Sequence, residues 1–375
     1  MNGGPSRVLF MIDSLGSGGA EQTLVRLVPR LDSTAFDTRV AVLQVREDNA
    51  AALALEAHGI PVDLVPVGRL RSPDSHRSVF TYLRKTKPDV VHTHLEFAHT
   101  LGGTYSRVLG IPPVATVHTF AESRRQREAK RLGMMWWSLR VAHRVVIAPS
   151  EAGRRHVVAG GHVAEDKVRV VHNGVDLNEF RPRDNPTLRA RLGVPEDAPV
   201  LVTVAVLREG KGIADLLGVF PAVLDRVPGA RLLVVGDGEE RIRLEEQASR
   251  SGVGDNITFL GRRKDIADLL ACGDVFALPT YGDVLPTVVA EAMGSGLPVV
   301  ASDVGGLAEM VEHEETGLLH PPGDADALVE FYVRLLGDSR LARSYGDAGR
   351  ARAEKLFDLD GQARHLESLY RELIR

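Results

Sequence analysis

Short, nearly continuous apolar runs alternate with segments of helical period along the whole chain. In the first half the runs are RVLFMID (7–13), RVAVLQV (39–45), DVVHTH (89–94), PVATVH (113–118) and RVVIAPS (144–150). In the second they are VLVTVAVL (200–207), ARLLVVGDG (230–238), NITFLG (256–261), DVFALP (274–279) and PVVAS (298–302). Strands with little polar alternation, separated by helices, predict parallel sheets covered on both faces. The pattern therefore predicts an α/β chain with two doubly wound, Rossmann-like domains. A stretch rich in proline and charge near 178–200 marks the expected seam, giving domains 1–180 and 181–355. Two such domains facing each other would leave a cleft at their strand C-termini, where ligands of these sheets bind.

Length and composition agree with this picture. The chain has 375 residues, 44% hydrophobic and 26% charged, as expected for two globular domains with ordinary cores. The formal net charge of −4 carries no basic excess that would mark a nucleic-acid binder, so any phosphate recognition has to be local. The single cysteine, Cys272, rules out an intramolecular disulfide and a cysteine-based zinc cluster. The apolar run Val8–Ile12 stops at Asp13, too short for a signal-peptide core, and no stretch approaches a membrane span of about 20 apolar residues. The expectation is a protein made and kept in the cytosol.

Three glycine turns stand between a strand and a helix: Gly16-Ser17-Gly18-Gly19, Gly236-Asp237-Gly238 and Gly305-Gly306. Such turns let backbone amides approach an anion at a helix N-terminus. Each also reads as a plain tight βα turn. The dinucleotide fingerprint G-x-G-x-x-G is incomplete in the first two, because Glu21 and Arg241 stand where its last glycine belongs. This disfavours an NAD oxidoreductase.

The most informative stretch is PTYGDVLPTVVAEAMGSGLPVVASDVGG (279–306). A strand ends at Pro279, a loop carries Asp283, and a helix is predicted to begin near Pro286, since proline suits a first helical turn. The amides of Thr287 and Val288 would then be open to phosphate or sugar oxygens. Glu291 lies about one turn further along. Asp283 and Glu291 are placed to accept hydrogen bonds from vicinal hydroxyls. Upstream, Arg208 and Lys211 follow a strand, where cations neutralise a diphosphate leaving group. Two-carboxylate glycosidase chemistry is the competing reading of Asp283 and Glu291.

At this point the chain resembles the retaining GT-B glycosyltransferases of family four. The resemblance covers essentially the whole length. It rests on GSGGAE (16–21), PDVVHTH (88–94), TVHTF (116–120), APSE (148–151), VHNGVD (171–176), LREGKG (207–212), VVGDGEE (234–240), NITFLGRRKDI (256–266), GDVLPTVVAEAMGSGLPVVASDVGG (282–306) and TGLLHPPGD (316–324). It implies a GT-B fold and a nucleotide-diphosphate sugar as donor, UDP-sugar favoured over GDP-sugar. It also implies a saccharide or lipid-linked acceptor, and no resident cofactor or metal. Position by position, Glu291 would bind the nucleotide ribose and Asp283 would stand near the donor sugar hydroxyls. Arg208 and Lys211 would hold the diphosphate, Leu285, Thr287 and Val288 would offer backbone amides, and Arg263 would meet the base through its main chain. Gly18 and Gly19 would face phosphate or acceptor, and His118 would lie near the reacting sugar. The last helix, within 356–375, would pass back to the first domain.

Two positions depart from the family pattern. Asp283 replaces a glutamate and reaches about 1.5 Å less. The family's arginine falls on Val206, with Arg208 nearby. These departures raise the alternative of a catalytically weak nucleotide-sugar-binding protein; a nucleotide-sugar 2-epimerase on the same fold is a further alternative. Segment 122–140 (ESRRQREAKRLGMMWWSLR) carries Arg124, Arg127 and Arg131 on one helical face and Leu132, Met135, Trp136 and Leu139 on an apolar stripe. One reading is a core stripe with a solvated basic rim. The other is a surface for an anionic membrane, which would place the enzyme at the inner face of that membrane. The strings Asp324-Ala325-Asp326 and Asp358-Leu359-Asp360 sit outside the 279–306 cassette, in an expected loop and near the last helix, and the histidines His92, His94, His99 and His118 lack the close pairing and the glutamate of H-E-x-x-H, so neither set reads as a metal site; His92 reads as a packed strand residue.

Overall fold

A computed structural model of the chain describes residues 4–16, 18–44, 50–118, 126–159 and 162–375. The chain folds as two units: Met1–Gly174 together with Leu359–Arg375, and Val175–Asp358. Among the described residues the first unit has seven strands: β1 (Ser6–Ile12), β2 (Phe36–Val42), β3 (Val62–Leu64), β4 (Val90–His94), β5 (Pro113–Thr116), β6 (Val145–Ala148) and β7 (Val168–Val170). The second has six: β8 (Val200–Val204), β9 (Arg231–Val235), β10 (Ile257–Gly261), β11 (Val275–Leu278), β12 (Val299–Ser302) and β13 (Gly317–His320).

Both sheets are parallel, in the orders β3-β2-β1-β4-β5-β6-β7 and β10-β9-β8-β11-β12-β13. The winding direction reverses between β1 and β4 in the first sheet and between β8 and β11 in the second. In doubly wound sheets, ligands bind beyond the strand C-termini at such reversals.

Burial explains the near-continuous apolar runs. In β1, Val8, Phe10 and Ile12 pack on one face while Leu9 and Met11 pack on the other. In β8, Val200, Val202 and Val204 enter one core and Leu201 the opposite one. Strands covered on both faces have no solvent side, so polar alternation is absent. The elements that this pattern misses, β3, β7 and β13, are three or four residues long and sit at sheet edges.

The proline- and charge-rich stretch expected as a seam lies inside the second unit. Phe180 is fully buried in that unit's core, and Asn185 caps the helix Pro186–Arg191 by accepting the Leu188 amide at 3.0 Å. The chain passes between the units at Gly174/Val175 and at Asp358/Leu359.

The last helix, Leu359–Ile374, belongs to the first unit. Its Leu366, Leu369 and Tyr370 join Val8, Phe10 and Phe36 in one core. The Tyr370 ring meets Phe10 and Phe36 edge-on, and its hydroxyl shares a 2.6 Å hydrogen bond with His92 Nδ1. The other ring nitrogen of His92 meets Thr116 Oγ1 at 2.7 Å, so this buried strand histidine is satisfied at both ends. Tyr370→Phe keeps the packing but strips His92 Nδ1 of its partner. The expected loss is about 1–3 kcal/mol of stability. Urea unfolding followed by tryptophan fluorescence measures it, because both tryptophans of the chain, Trp136 and Trp137, lie in the first unit. An unchanged midpoint would contradict the assignment.

Candidate functional site

In the second unit the loops that follow β8, β9, β11 and β12 are bound to one another, and the sequence dictates how. The loop after β8 ends at Gly212, which has φ +69° and lies so close to the next loop that a Cβ would fall 1.8 Å from the Pro279 carbonyl oxygen. Only glycine fits there. The Gly210 carbonyl accepts from the Tyr281 amide at 2.8 Å and from Thr280 Oγ1 at 3.1 Å. Gly236, at φ +137°, lets the loop after β9 approach the Ala205 carbonyl in the same way. The Asp283 carbonyl accepts from the Gly306 amide at 3.1 Å, which joins the loops after β11 and β12.

These contacts bring Lys211 onto Asp283. The ammonium donates to both carboxylate oxygens at 2.8 Å, with both side chains largely shielded from solvent. Arg208 is exposed and makes no ion pair among the described residues, and Val206 beside it is exposed as well. Arg263 pairs with Asp265 at 2.5 and 2.8 Å, which fixes the turn after β10.

The helix Thr287–Gly294 starts after Pro286 with no side-chain cap, so its first amides, Thr287 and Val288, have no intrahelical acceptor. Leu285 packs its side chain into the core and so anchors the loop just before that end. Glu291, in the second turn, is buried. Asp324, in contrast, caps the helix Ala325–Gly337 by accepting the Ala327 amide at 3.0 Å, and Asp360 pairs with Arg30 at 3.2 Å. Both of those acids have structural partners.

In the first unit the candidates also lie beyond the strand C-termini. Gly18 is the N-cap of the helix Gly19–Leu27. The Glu21 carboxylate folds beneath it: Ser14 Oγ donates to Oε1 at 3.4 Å, and a Cβ at Gly18 would fall 2.4 Å from Oε2. Asp13, which follows β1, accepts the amides of Phe97 and Ala98 at 2.9 and 2.7 Å and so ties this loop to the one after β4. His118 is partly buried after β5, and its Nε2 lies 2.9 Å from His94 Nδ1. The sequence signal for that contact is His-x-His at the end of a strand: residues two apart share a face, and β5 lies next to β4.

Residue 17 and residues 119–125, with Arg124, lie outside the described residues, as does the Arg127 side chain. The apolar stripe of the helix Gln126–Val141 packs inward: Met135, Trp136 and Leu139 are buried, and Leu132 packs against them. That stripe is core and is not a membrane-facing surface. Arg131 pairs with Glu96 at 2.5 Å. No helix among the described residues is long and apolar enough to cross a membrane.

Comparison with known proteins places the chain. Residues 17–179 match the family described as Glycosyltransferase Family 4, and residues 198–338 match Glycosyl transferases group 1. The chain belongs to glycosyltransferase family 4. It is 30% identical to the sulfoquinovosyl transferase SQD2 of Arabidopsis thaliana over 78% of its own length, spanning 57% of that protein. It is 28% identical to the UDP-Gal:alpha-D-GlcNAc-diphosphoundecaprenol alpha-1,3-galactosyltransferase of Escherichia coli, with 77% of this chain and 76% of that one covered. Among solved structures it is similar to Anabaena HepE in complex with UDP, with TM-score 0.86, 25% identity, and coverage of 98% of this chain and 100% of that one. A HepE complex with UDP-glucose matches equally well by TM-score. The likeness spans two Rossmann-like sheets, the GT-B architecture.

Within this family-4 chain the first unit holds an unusual set of neutral imidazoles. Burial pushes His92 down to about 3 and His118 and His143 to about 4, and holds His94 and His99 well below the ordinary histidine range. The unfolded chain protonates these residues near 6.5. Between those limits the unfolded state binds more protons, so the stability is complete above about pH 6.5 and is lost as pH falls towards 4. Each histidine contributes up to about 1.4 kcal/mol per pH unit in that window. Urea unfolding by tryptophan fluorescence at about pH 7 and about pH 5.5 should show a clearly lower midpoint at the lower pH. Equal midpoints would contradict the burial of neutral histidines.

Proposed function

We propose that the chain is a retaining glycosyltransferase that moves a sugar from a nucleoside-diphosphate sugar, UDP-sugar in preference to GDP-sugar, to a hydroxyl of a saccharide or lipid-linked acceptor. The observation that carries this reading is the Lys211–Asp283 pair, held by glycine-built loops next to an uncapped helix N-terminus. A diphosphate competes for the Lys211 ammonium, and Asp283, once released, accepts hydrogen bonds from sugar hydroxyls. Arg208 and the amides of Leu285, Thr287 and Val288 add positive potential for the departing phosphate, with no resident metal or other cofactor. Glu291 holds the ribose, and the Arg263 turn meets the base through its main chain. The UDP and UDP-glucose complexes of HepE support the choice of UDP.

In the reaction the bond from the anomeric carbon to the phosphate breaks, and the acceptor oxygen bonds on the same face. The departing phosphate oxygen takes the acceptor's proton. The protein's contribution is positioning and charge stabilisation. Gly18, Gly19 and His118 of the first unit serve the acceptor and the reacting sugar. The Glu21 carboxylate beneath Gly18 disfavours a phosphate there and favours hydroxyls. The relatives named above carry transferase names, which supports transfer over 2-epimerisation.

The reading includes peripheral contact with an anionic membrane at its cytoplasmic face. Since the apolar stripe is core, that contact is carried by the exposed Trp137 and Val141 with the exposed Arg140 and Arg144. Flotation with anionic vesicles should retain the protein at low salt and release it at high salt, and absence of binding at low salt would remove the membrane from the account.

A thermal-shift panel of UDP, GDP and ADP tests the donor. UDP should stabilise the fold most, by about 2.7 kcal/mol at a hundredfold excess over Kd, and equal shifts for all three would contradict the choice. Lys211→Ala should lower kcat about 100-fold or more with an unchanged circular-dichroism spectrum. Wild-type turnover by that variant would refute the assignment.

A further inference from the structure

The end of β4 reads His-Thr-His, and its last residue has no place in the mechanism above. His94 is 2% exposed. Its Nδ1 lies 2.9 Å from His118 Nε2, with the two rings stacked 23° from parallel. On its other side the His92 ring packs with centroids 4.5 Å apart, and His92 is itself pinned by Tyr370 and Thr116. The His94 ring is thus held in one orientation. Its second nitrogen, Nε2, is buried and finds no hydrogen-bond partner among the described residues.

Two neutral imidazoles in this contact share one proton, and the shared proton links the states of both rings. If His118 donated from Nε2, the proton of His94 would sit on Nε2, leaving a buried N–H with no acceptor. If His94 donates from Nδ1, its Nε2 keeps only a bare lone pair. Buried orphan N–H groups are rarer in native structures than under-used acceptors, and an unmet donor costs its full desolvation. The second arrangement is therefore the more stable. It leaves His118 with its proton on Nδ1.

We propose that His94 is a positioning residue that fixes the tautomer of His118, so that His118 meets substrate as an Nδ1–H donor and not as a base. This rests on the reading of His118 as a substrate-facing residue. A neutral donor suits an oxygen of the sugar or acceptor, and it leaves the acceptor's proton to the departing phosphate.

The test has a spectroscopic arm and a kinetic arm. In wild-type protein labelled with ¹⁵N-histidine, with the signals assigned by loss in His118→Gln, the His118 ring should show a protonated Nδ1 and an unprotonated Nε2. The reverse pattern, or a mixture of both tautomers, overturns the proposal. His94→Phe fills the ring stack but cannot donate. It should lower kcat about 10-fold to 100-fold with the donor KM within about twofold, and should mix the His118 tautomers. His94→Asn places an amide where Nδ1 was and should recover most of kcat. Wild-type turnover by His94→Phe with the His118 signals unmoved also overturns the proposal. If His94→Phe does not fold, the wild-type spectrum and His94→Asn decide. Wild-type turnover by His118→Gln would refute the substrate-facing reading of His118, while the wild-type spectrum still decides the tautomer separately.

Discussion

One ion pair organises the second unit. The Lys211 ammonium sits 2.8 Å from each oxygen of Asp283, and that contact exists only because neighbouring loops can touch backbone to backbone. A side chain at position 212 would collide with the Pro279 carbonyl, and one at 236 with that of Ala205. Small residues let the loops close, and closure brings the charges together. Each charge is largely shielded from water, and neither is left uncompensated. In the proposed function a diphosphate sugar answers both members at once, with anionic oxygens for the lysine and hydroxyls for the aspartate.

The first unit solves a different problem. Its sheet carries two sets of imidazoles that burial keeps neutral, His92, His94 and His118 on the Phe10 side of β4 and His99 and His143 on the Thr93 side, and their hydrogen bonds run to hydroxyls, to a backbone carbonyl and to one another. The C-terminal helix completes the first of these sets, since the Tyr370 hydroxyl supplies the partner that His92 needs. The helix that fills the core of the first unit thereby also satisfies one of its buried polar groups. A set built this way presents directional donors and acceptors without charge, next to a loop whose own carboxylate, Glu21, already supplies a negative end.

Much of this was legible in the residues. Runs such as RVLFMID and VLVTVAV announce strands buried on both faces, because only a sheet without a solvent side uses apolar residues continuously. The cassette 279–306 placed Asp283 in a loop and the helix start at Pro286, since proline and glycine constrain the backbone locally. The short edge strands were silent: three residues such as Val62–Leu64 carry too little period to read. The stretch 178–200 looked like a linker because proline and charge mark surface, yet Phe180 shows that a surface segment can still anchor in a core. The His94–His118 contact was only half legible: His-x-His closes one apolar run and His118 closes the next, but that these two consecutive strands lie side by side is a property of the topology.

The central claim is that Lys211 and Asp283 hold each other in place of a nucleoside-diphosphate sugar. A crystal structure of the chain with bound UDP-sugar tests this most directly. The account predicts that the Lys211 ammonium moves from Asp283 onto a diphosphate oxygen and that the freed carboxylate contacts a sugar hydroxyl. A bound donor that leaves the 2.8 Å pair intact and touches neither side chain would contradict it.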